Sequence, residues 1–200
     1  MSKEQKEMVK ESEPELLDLV PPHFKLFWKS LKFQMRLGSG SFGDCYKGTF
    51  DDLPVAIKRM RVALTDKKGF EAFCKEILTL SNVSHPNVVN FVGFVLDPCL
   101  LIVMGFVSGG TLSAFVEMQD PLDPPTLETS MKILIGSAKG LEYLHAREPM
   151  PILHRDVKSE NILLTDKLEP CIADLGEARA MAKDHAMTIV SCEMAQCGAL

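Results

Sequence analysis

The sequence predicts an α+β protein, rich in short strands over its first half and helical over much of its second. Three patterns carry that expectation. From Leu31 to Leu37 apolar residues (Leu31, Phe33, Met35, Leu37) alternate with Lys32, Gln34 and Arg36, the period of a half-buried strand. Phe70, Phe73, Ile77 and Leu80 recur at spacings of three and four, which predicts a helix over roughly 66–82. Leu127, Met131, Leu134, Ala138 and Leu141 draw a second helical stripe.

Composition narrows the function classes. A chain of 200 residues, 46% hydrophobic and 24% charged, can bury a sizeable core and is not disordered throughout. A net charge of −5 leaves no electrostatic footprint for nucleic acid or an anionic membrane, so neither is expected as a partner. The polar N-terminus is no signal peptide, and the longest apolar run, Leu100 to Val107, is too short to span a bilayer. Six scattered cysteines then read as reduced thiols, and the expected location is cytoplasmic. Cys192 and Cys197 lack two further ligands at metal spacing.

Taken in order, residues 1–22 form a charged leader closed by Pro21-Pro22. The first strand delivers the chain into Gly38-Ser39-Gly40-Ser41-Phe42-Gly43. A lone glycine pattern of this kind is weak evidence, and the residues after Gly43 discriminate between its possible meanings. A dinucleotide-binding unit would start a helix here, and a P-loop would need lysine where Thr49 stands. Instead residues 45–50 and 54–58 read as two more strands separated by Asp51-Asp52. On the 66–82 helix, Glu71 is solvated while Glu76 borders the apolar face. Residues 84–89 mark a turn, with His85 before Pro86 read as a structural residue. Strands are expected at about 89–96 and 100–105, and Ser108-Gly109-Gly110 reads as a flexible joint. A short helix over 111–118 precedes a longer one capped by Asp123-Pro124 and ending near His145. Residues 162–164 and 171–173 read as a small hairpin leading to Asp174-Leu175-Gly176.

Between the long helix and that hairpin lies His154-Arg155-Asp156-Val157-Lys158-Ser159-Glu160-Asn161. Asp156, Lys158 and Asn161 supply a carboxylate, an ammonium and an amide, the groups phosphoryl transfer requires. The stretch resembles the catalytic loop of protein kinases, H-R-D-x-x-x-x-N. The glycine hairpin and the Val55-Ala56-Ile57-Lys58 run after it resemble the family's phosphate-covering loop and strand lysine. Asp174-Leu175-Gly176 takes the place of D-F-G, with leucine as the apolar plug. The whole set, over about 31–190, is similar to eukaryotic protein kinases, particularly the tyrosine-kinase-like serine/threonine group, and Lys158 two places after Asp156 is the serine/threonine-type signature.

That resemblance implies a two-lobe fold, with a complete N-lobe (antiparallel sheet plus one helix) over 23–106 and an incomplete helical C-lobe over 107–190. It implies ATP and Mg²⁺ as cofactors and a protein bearing serine or threonine as substrate. Lys58, held by Glu76, would position the ATP phosphates; Asp156 would orient the hydroxyl and accept its proton, and Lys158 would face the γ-phosphate. Asn161 and Asp174 would ligate Mg²⁺. Gly38, Gly40, Gly43, Cys45, Ala56, Met104 (the gatekeeper), Gly105, Val107 and Leu163 would line the nucleotide site, with Cys45 where valine is usual. A buried column of Leu80, Phe91, His154 and Leu175 is also implied.

The C-terminal end departs from the pattern. Glu177 to Val190 resembles an activation segment, with Thr188 or Ser191 as candidate phosphosites, but no proline comes after Pro170, so A-P-E is absent and 191–200 is atypical. The expectation is a truncated kinase with impaired phosphotransfer, its 124–145 stripe exposed or covered by a partner. The alternative is a nucleotide-binding regulatory or pseudokinase-like module without phosphotransfer.

Overall fold

In a computed structural model, residues 14–40, 43–62, 66–120 and 122–180 are described. The readings of Thr188, Ser191, Cys192, Cys197 and the 191–200 tail lie outside them, as do residues 1–13 of the leader. The described chain divides into two compact units, one within residues 14–84 and 90–106, the other within 85–89 and 107–180.

The first unit is a five-stranded antiparallel sheet with one long helix, the arrangement implied for the N-lobe. Its strands are β1 (Leu31–Gly40), β2 (Gly43–Phe50), β3 (Leu53–Met60), β4 (Phe91–Val95) and β5 (Leu101–Gly105), in the spatial order β1-β2-β3-β5-β4. β1 outruns the alternating stretch that predicts it, because Gly38 and Gly40 continue the ladder opposite Cys45 and Gly43. Leu31, Val55, Ile57, Val95, Leu101 and Val103 form one buried cluster, the period-two faces of neighbouring strands meeting. A short helix, α1 (Pro14–Asp18), precedes the sheet, and α2 (Lys67–Ser81) comes after β3. Asp66 caps α2, its carboxylate accepting the Gly69 N–H at 3.3 Å. Phe70, Phe73, Ile77 and Leu80 are buried as their spacing predicts.

The second unit holds α3 (Leu112–Glu117), α4 (Leu127–His145) and the antiparallel pairs β6 (Ile152–Leu153) with β9 (Arg179–Ala180) and β7 (Ile162–Leu164) with β8 (Pro170–Ile172). Here the structure corrects two expectations. Helix α4 begins at Leu127, not after Asp123. Pro125 disfavours helical geometry at Pro124, and the Thr126 hydroxyl takes the capping role by accepting the Thr129 N–H at 3.2 Å. Gly109 and Gly110 are no flexible joint: the Gly109 N–H donates to the Leu164 carbonyl at 2.8 Å, and the Leu164 N–H returns a bond of the same length to Gly110.

The apolar stripe of α4 is exposed, as expected, and another side of the helix packs. Its buried residues are Ile133, Gly136, Ser137, Gly140 and Leu144, whereas Leu127, Met131 and Leu134 of the apolar stripe are exposed, Leu134 to 62%. Small residues make the packed face because backbone comes close there: a Cβ on Gly140 would meet the Asn87 carbonyl oxygen at 2.6 Å and Ile172 Cγ1 at 3.0 Å. Gly140→Ala therefore tests two opposed effects. Helix propensity alone favours alanine by about 1 kcal/mol, while overpacking costs about 1–3 kcal/mol. The overlap is with backbone, which does not give way cheaply, so the expected result in urea denaturation is a net loss of about 1–2 kcal/mol.

The five residues His85–Val89 belong to the second unit although they sit between elements of the first. The Ile172 N–H donates to the Asn87 carbonyl at 2.8 Å, and the Val89 N–H donates to Ile172 at 2.9 Å, so this short run lies along β8. The Asn87 side chain donates to the Pro170 carbonyl at 2.8 Å, and the His85 ring accepts the Asn87 N–H at 3.0 Å and stacks on Tyr143.

Candidate functional site

In the first unit, strand β3 and helix α2 bring together two residues far apart in sequence. Lys58 Nζ lies 2.7 Å from Glu76 Oε1, and the two side chains are only 12% and 5% exposed. The helix period explains the geometry. Phe73, Ile77 and Leu80 anchor α2 on the sheet, and Glu76 sits one residue round from Ile77, close enough to that face to be buried with it. On β3 the inward side of the pleat is held by Val55 and Ile57, so Lys58 emerges on the other face. A buried ion pair is expensive in desolvation, and its presence marks a position where charge is needed more than stability.

The same unit carries the glycine hairpin. Gly38 stands opposite Cys45, Ser39 opposite Asp44 and Gly40 opposite Gly43. A Cβ on Gly43 would overlap the Arg59 backbone, whereas nothing lies within 4 Å of one built on Gly38 or Gly40. The first two glycines thus leave one surface of the hairpin bare of side chains. Beside it, sequence reading missed a charged cluster. Asp44 Oδ1 lies 2.8 Å from Arg61 and 2.6 Å from Arg36, and Arg61 also donates to the Ser39 hydroxyl and, at 3.2 Å, to the Gly40 carbonyl. Arg61, then Ser39 and Arg36, hold the Asp44 carboxyl well below the usual carboxylate range. The i, i+8 spacing of Arg36 and Asp44 around a glycine turn was the available signal. Of the other candidates in this unit, Ala56 pairs with Met104 and Val55 with Gly105, whose N–H donates to Asn90 at 2.9 Å.

The second unit gathers Asp156, Lys158, Asn161 and Asp174. The Asn161 amide nitrogen donates to the Asp156 backbone carbonyl at 2.8 Å and to Asp156 Oδ2 at 2.9 Å. Lys158 Nζ lies 2.8 Å from the same carboxylate oxygen. The Ala173 N–H donates to the Asn161 carbonyl at 2.8 Å, which ties the residue preceding Asp174 to the loop. Asp174 itself has a φ of 60°, a left-handed conformation that a residue with a Cβ adopts at some cost. His154, fully buried, joins the two stretches. Its Nδ1 accepts the Asp156 N–H at 3.3 Å, so the ring proton is on Nε2, which donates to the Ala173 carbonyl at 2.9 Å. Leu163 pairs with Cys171 on β8 and bridges to Thr111, and Val107 opens this unit's longer segment. Of the implied column, Leu80 and Phe91 are buried in the first unit, and His154 and Leu175 in the second.

The Lys158 ammonium holds the Asp156 carboxyl below its ordinary range; partial burial pulls the other way, and the Asn161 amide adds to the lowering. The same pairing raises Lys158. A depressed carboxyl stabilises the fold above its unfolded pKa, and that contribution is lost as pH falls through the lower folded value. Asp156 therefore stays ionised at neutral pH. Removing the ammonium in Lys158→Ala is expected to move its titration upward, read from the carboxyl carbon shift in an NMR pH series. A titration that does not move would show that another group sets it.

Most of the chain is similar to known proteins. Residues 31–196 match the family described as protein tyrosine and serine/threonine kinase. Among curated relatives, human serine/threonine-protein kinase TNNI3K is 41% identical over 164 residues, 80% of this chain and 19% of that protein. Serine/threonine-protein kinase STY46 of Arabidopsis thaliana is 37% identical over 161 residues, 80% of this chain and 27% of its own length. Calmodulin-binding receptor-like cytoplasmic kinase 1 of the same plant is 39% identical over 163 residues, 80% of this chain and 34% of that protein. The chain spans about a fifth to a third of the length of these relatives. No helix among the described residues is long and apolar enough to cross a membrane.

Proposed function

Because the chain belongs to the protein tyrosine and serine/threonine kinase family, we propose that it binds ATP with Mg²⁺ and transfers the γ-phosphoryl group to a serine or threonine hydroxyl of a protein. The observation that carries this reading is the hydrogen-bonded set of Asp156, Lys158 and Asn161, a carboxylate kept ionised beside an ammonium and an oriented amide. Asp156 receives the hydroxyl proton and orients the attacking oxygen. Lys158 faces the charge that builds on the transferred group. Lys58, fixed by Glu76, holds phosphate oxygens, and the bare glycine hairpin of Gly38, Gly40 and Gly43 covers them with backbone N–H groups. Of the further nucleotide-site residues the resemblance implies, Cys45, Ala56, Met104 and Gly105 belong to the first unit and Val107 and Leu163 to the second.

The donor set fits Mg²⁺. Among the described residues no three of His, Cys, Asp and Glu cluster to hold a metal by themselves. Asn161 and Asp174 instead offer hard oxygens, and the bonds of the Asn161 nitrogen to Asp156 leave its amide oxygen unused by that carboxylate. That suits a cation which keeps waters and phosphate oxygens as its remaining ligands. When bound, Mg²⁺ neutralises charge on the phosphates; the protein's own part is positioning and fixed electrostatics.

A second reading, a nucleotide-binding module that docks a partner without phosphotransfer, is favoured by the exposed α4 stripe of Leu127, Met131 and Leu134. Labelled ATP·Mg²⁺ with a serine/threonine-rich acceptor protein separates the two. Acid-stable label on serine or threonine supports the enzyme. Nucleotide-dependent thermal stabilisation with no incorporation supports the module, and neither response removes both.

A further inference from the structure

We propose that Phe24, Leu26 and Gly93 are positioning residues for Glu76: the segment from residue 20 to residue 30, seated along β4, braces helix α2 and so sets how firmly Glu76 meets Lys58. β4 is the last strand of the sheet, and an open strand edge presents unpaired backbone groups. The segment covers it. The Leu26 N–H donates to the Phe94 carbonyl at 2.8 Å, and Lys25 pairs with Phe94 in parallel register. Pro21 is extended and Pro22 opens a short helical turn, so the chain is stiff where it approaches the seat.

Side chains fix it on both sides of the sheet. The Phe24 ring lies 4.9 Å from that of Phe91. Leu26 and Trp28 pack on the buried cluster of Leu31, Val95 and Leu101, and Trp28 lies 5.1 Å from Phe33. Gly93 is what lets the segment approach so closely. A Cβ there would overlap the Phe24 carbonyl oxygen and stand 2.7 Å from Leu26 Cγ. The path to Glu76 is then short. The backbone of Phe94 is held by Leu26, and its ring meets Phe73 edge-on at 6.3 Å. Phe73 lies one helical turn before Glu76 on α2, and α1, just upstream of the segment, packs on α2 as well. Val20, between α1 and the seat, is buried. One path thus runs from the segment, and a second from the helix just before it, to the helix that carries the glutamate. Displacing the segment leaves the sheet its own ladder but takes away one side of the support of α2.

The inference rests on the reading of Lys58 and Glu76 as the phosphate-positioning pair, so its test includes a measurement made without nucleotide. Hydrogen exchange by mass spectrometry is followed on the full chain, on Phe24→Ala, on Gly93→Ala and on the conservative Phe24→Leu. In both alanine variants, residues 20–30 are expected to lose protection and the α2 amides to exchange about tenfold faster, with β2 and β3 changed by less than about twofold. Phe24→Leu is expected to match the parent. ATP·Mg²⁺ affinity is expected to weaken about fivefold in the alanine variants and not in Phe24→Leu. The proposal is overturned if α2 keeps its protection while residues 20–30 exchange freely. It is equally overturned if β2 and β3 speed up with α2, or if residues 20–30 stay protected in both alanine variants. Absence of nucleotide binding in the parent would count against the kinase reading and leave the exchange result to decide the bracing role.

Discussion

Asp156→Asn is expected to lower phosphate transfer to a serine/threonine acceptor by about a thousandfold, equivalent to about 4 kcal/mol of transition-state stabilisation. Asparagine keeps the size of the side chain, and its amide oxygen can still accept from Asn161, which donates at 2.9 Å. Two things are lost. A neutral amide cannot take the hydroxyl proton, and the Lys158 ammonium, 2.8 Å away, loses its anionic partner. The loop should otherwise stand, because the Asn161 bond to the Asp156 backbone carbonyl and the His154 bond to Ala173 do not involve the carboxylate. Binding of ATP·Mg²⁺, read by thermal stabilisation, is therefore expected to change little. Label incorporation at saturating nucleotide is the deciding measurement, and an unchanged rate would remove Asp156 from the chemistry.

The second large effect is on stability. Phe73→Ala is expected to cost about 3–5 kcal/mol, read by urea denaturation. Phe73 is fully buried, with Phe70 and Phe94 rings each 6.3 Å from its own, so truncation empties a space enclosed by helix and strand. A domain is typically stable by only about 5–15 kcal/mol, so a loss of this size threatens the unit outright. Leu134→Ala makes the contrast. The residue is as apolar and also helical, yet it is 62% exposed, and the expected change is within about 0.5 kcal/mol. Equal losses from the two would mean that burial is wrongly attributed in one of them.

That contrast shows where the sequence could be read and where it could not. Regular periods were legible: the alternation from Leu31 to Leu37 became β1, and the spacing of Phe70, Phe73, Ile77 and Leu80 became the packed face of α2 with Glu76 drawn in beside it. Local chemistry was legible too, since Asp156, Lys158 and Asn161 meet within one loop. On α4 the exposed stripe was legible but the packed face was not, because apolar periodicity reports where hydrophobic side chains lie. Between Ile133 and Leu144 the packed face of α4 is made by Gly136, Ser137 and Gly140, which have little side chain to report, and glycines four apart were the usable signal. The start of α4 turned on one hydroxyl against one carboxylate, a choice decided by the second proline. The seat of residues 20–30 along β4 and the run of His85–Val89 along β8 are backbone pairings between distant segments, and no spacing within either one announces its partner.

The placement of His85–Val89 bears on any attempt to work with half of this protein. The polypeptide leaves the first unit after Ser84, contributes five residues to the other, returns at Asn90 and departs again after Phe106. A cut between 106 and 107 does not yield two self-sufficient halves. The C-terminal piece would be missing the stretch that accepts from and donates to Ile172 and presses on Gly140, and the N-terminal piece would carry that stretch with nothing to hold it. Co-expressed fragments split at 106 should reassemble through those five residues, whereas either fragment alone should be prone to precipitate.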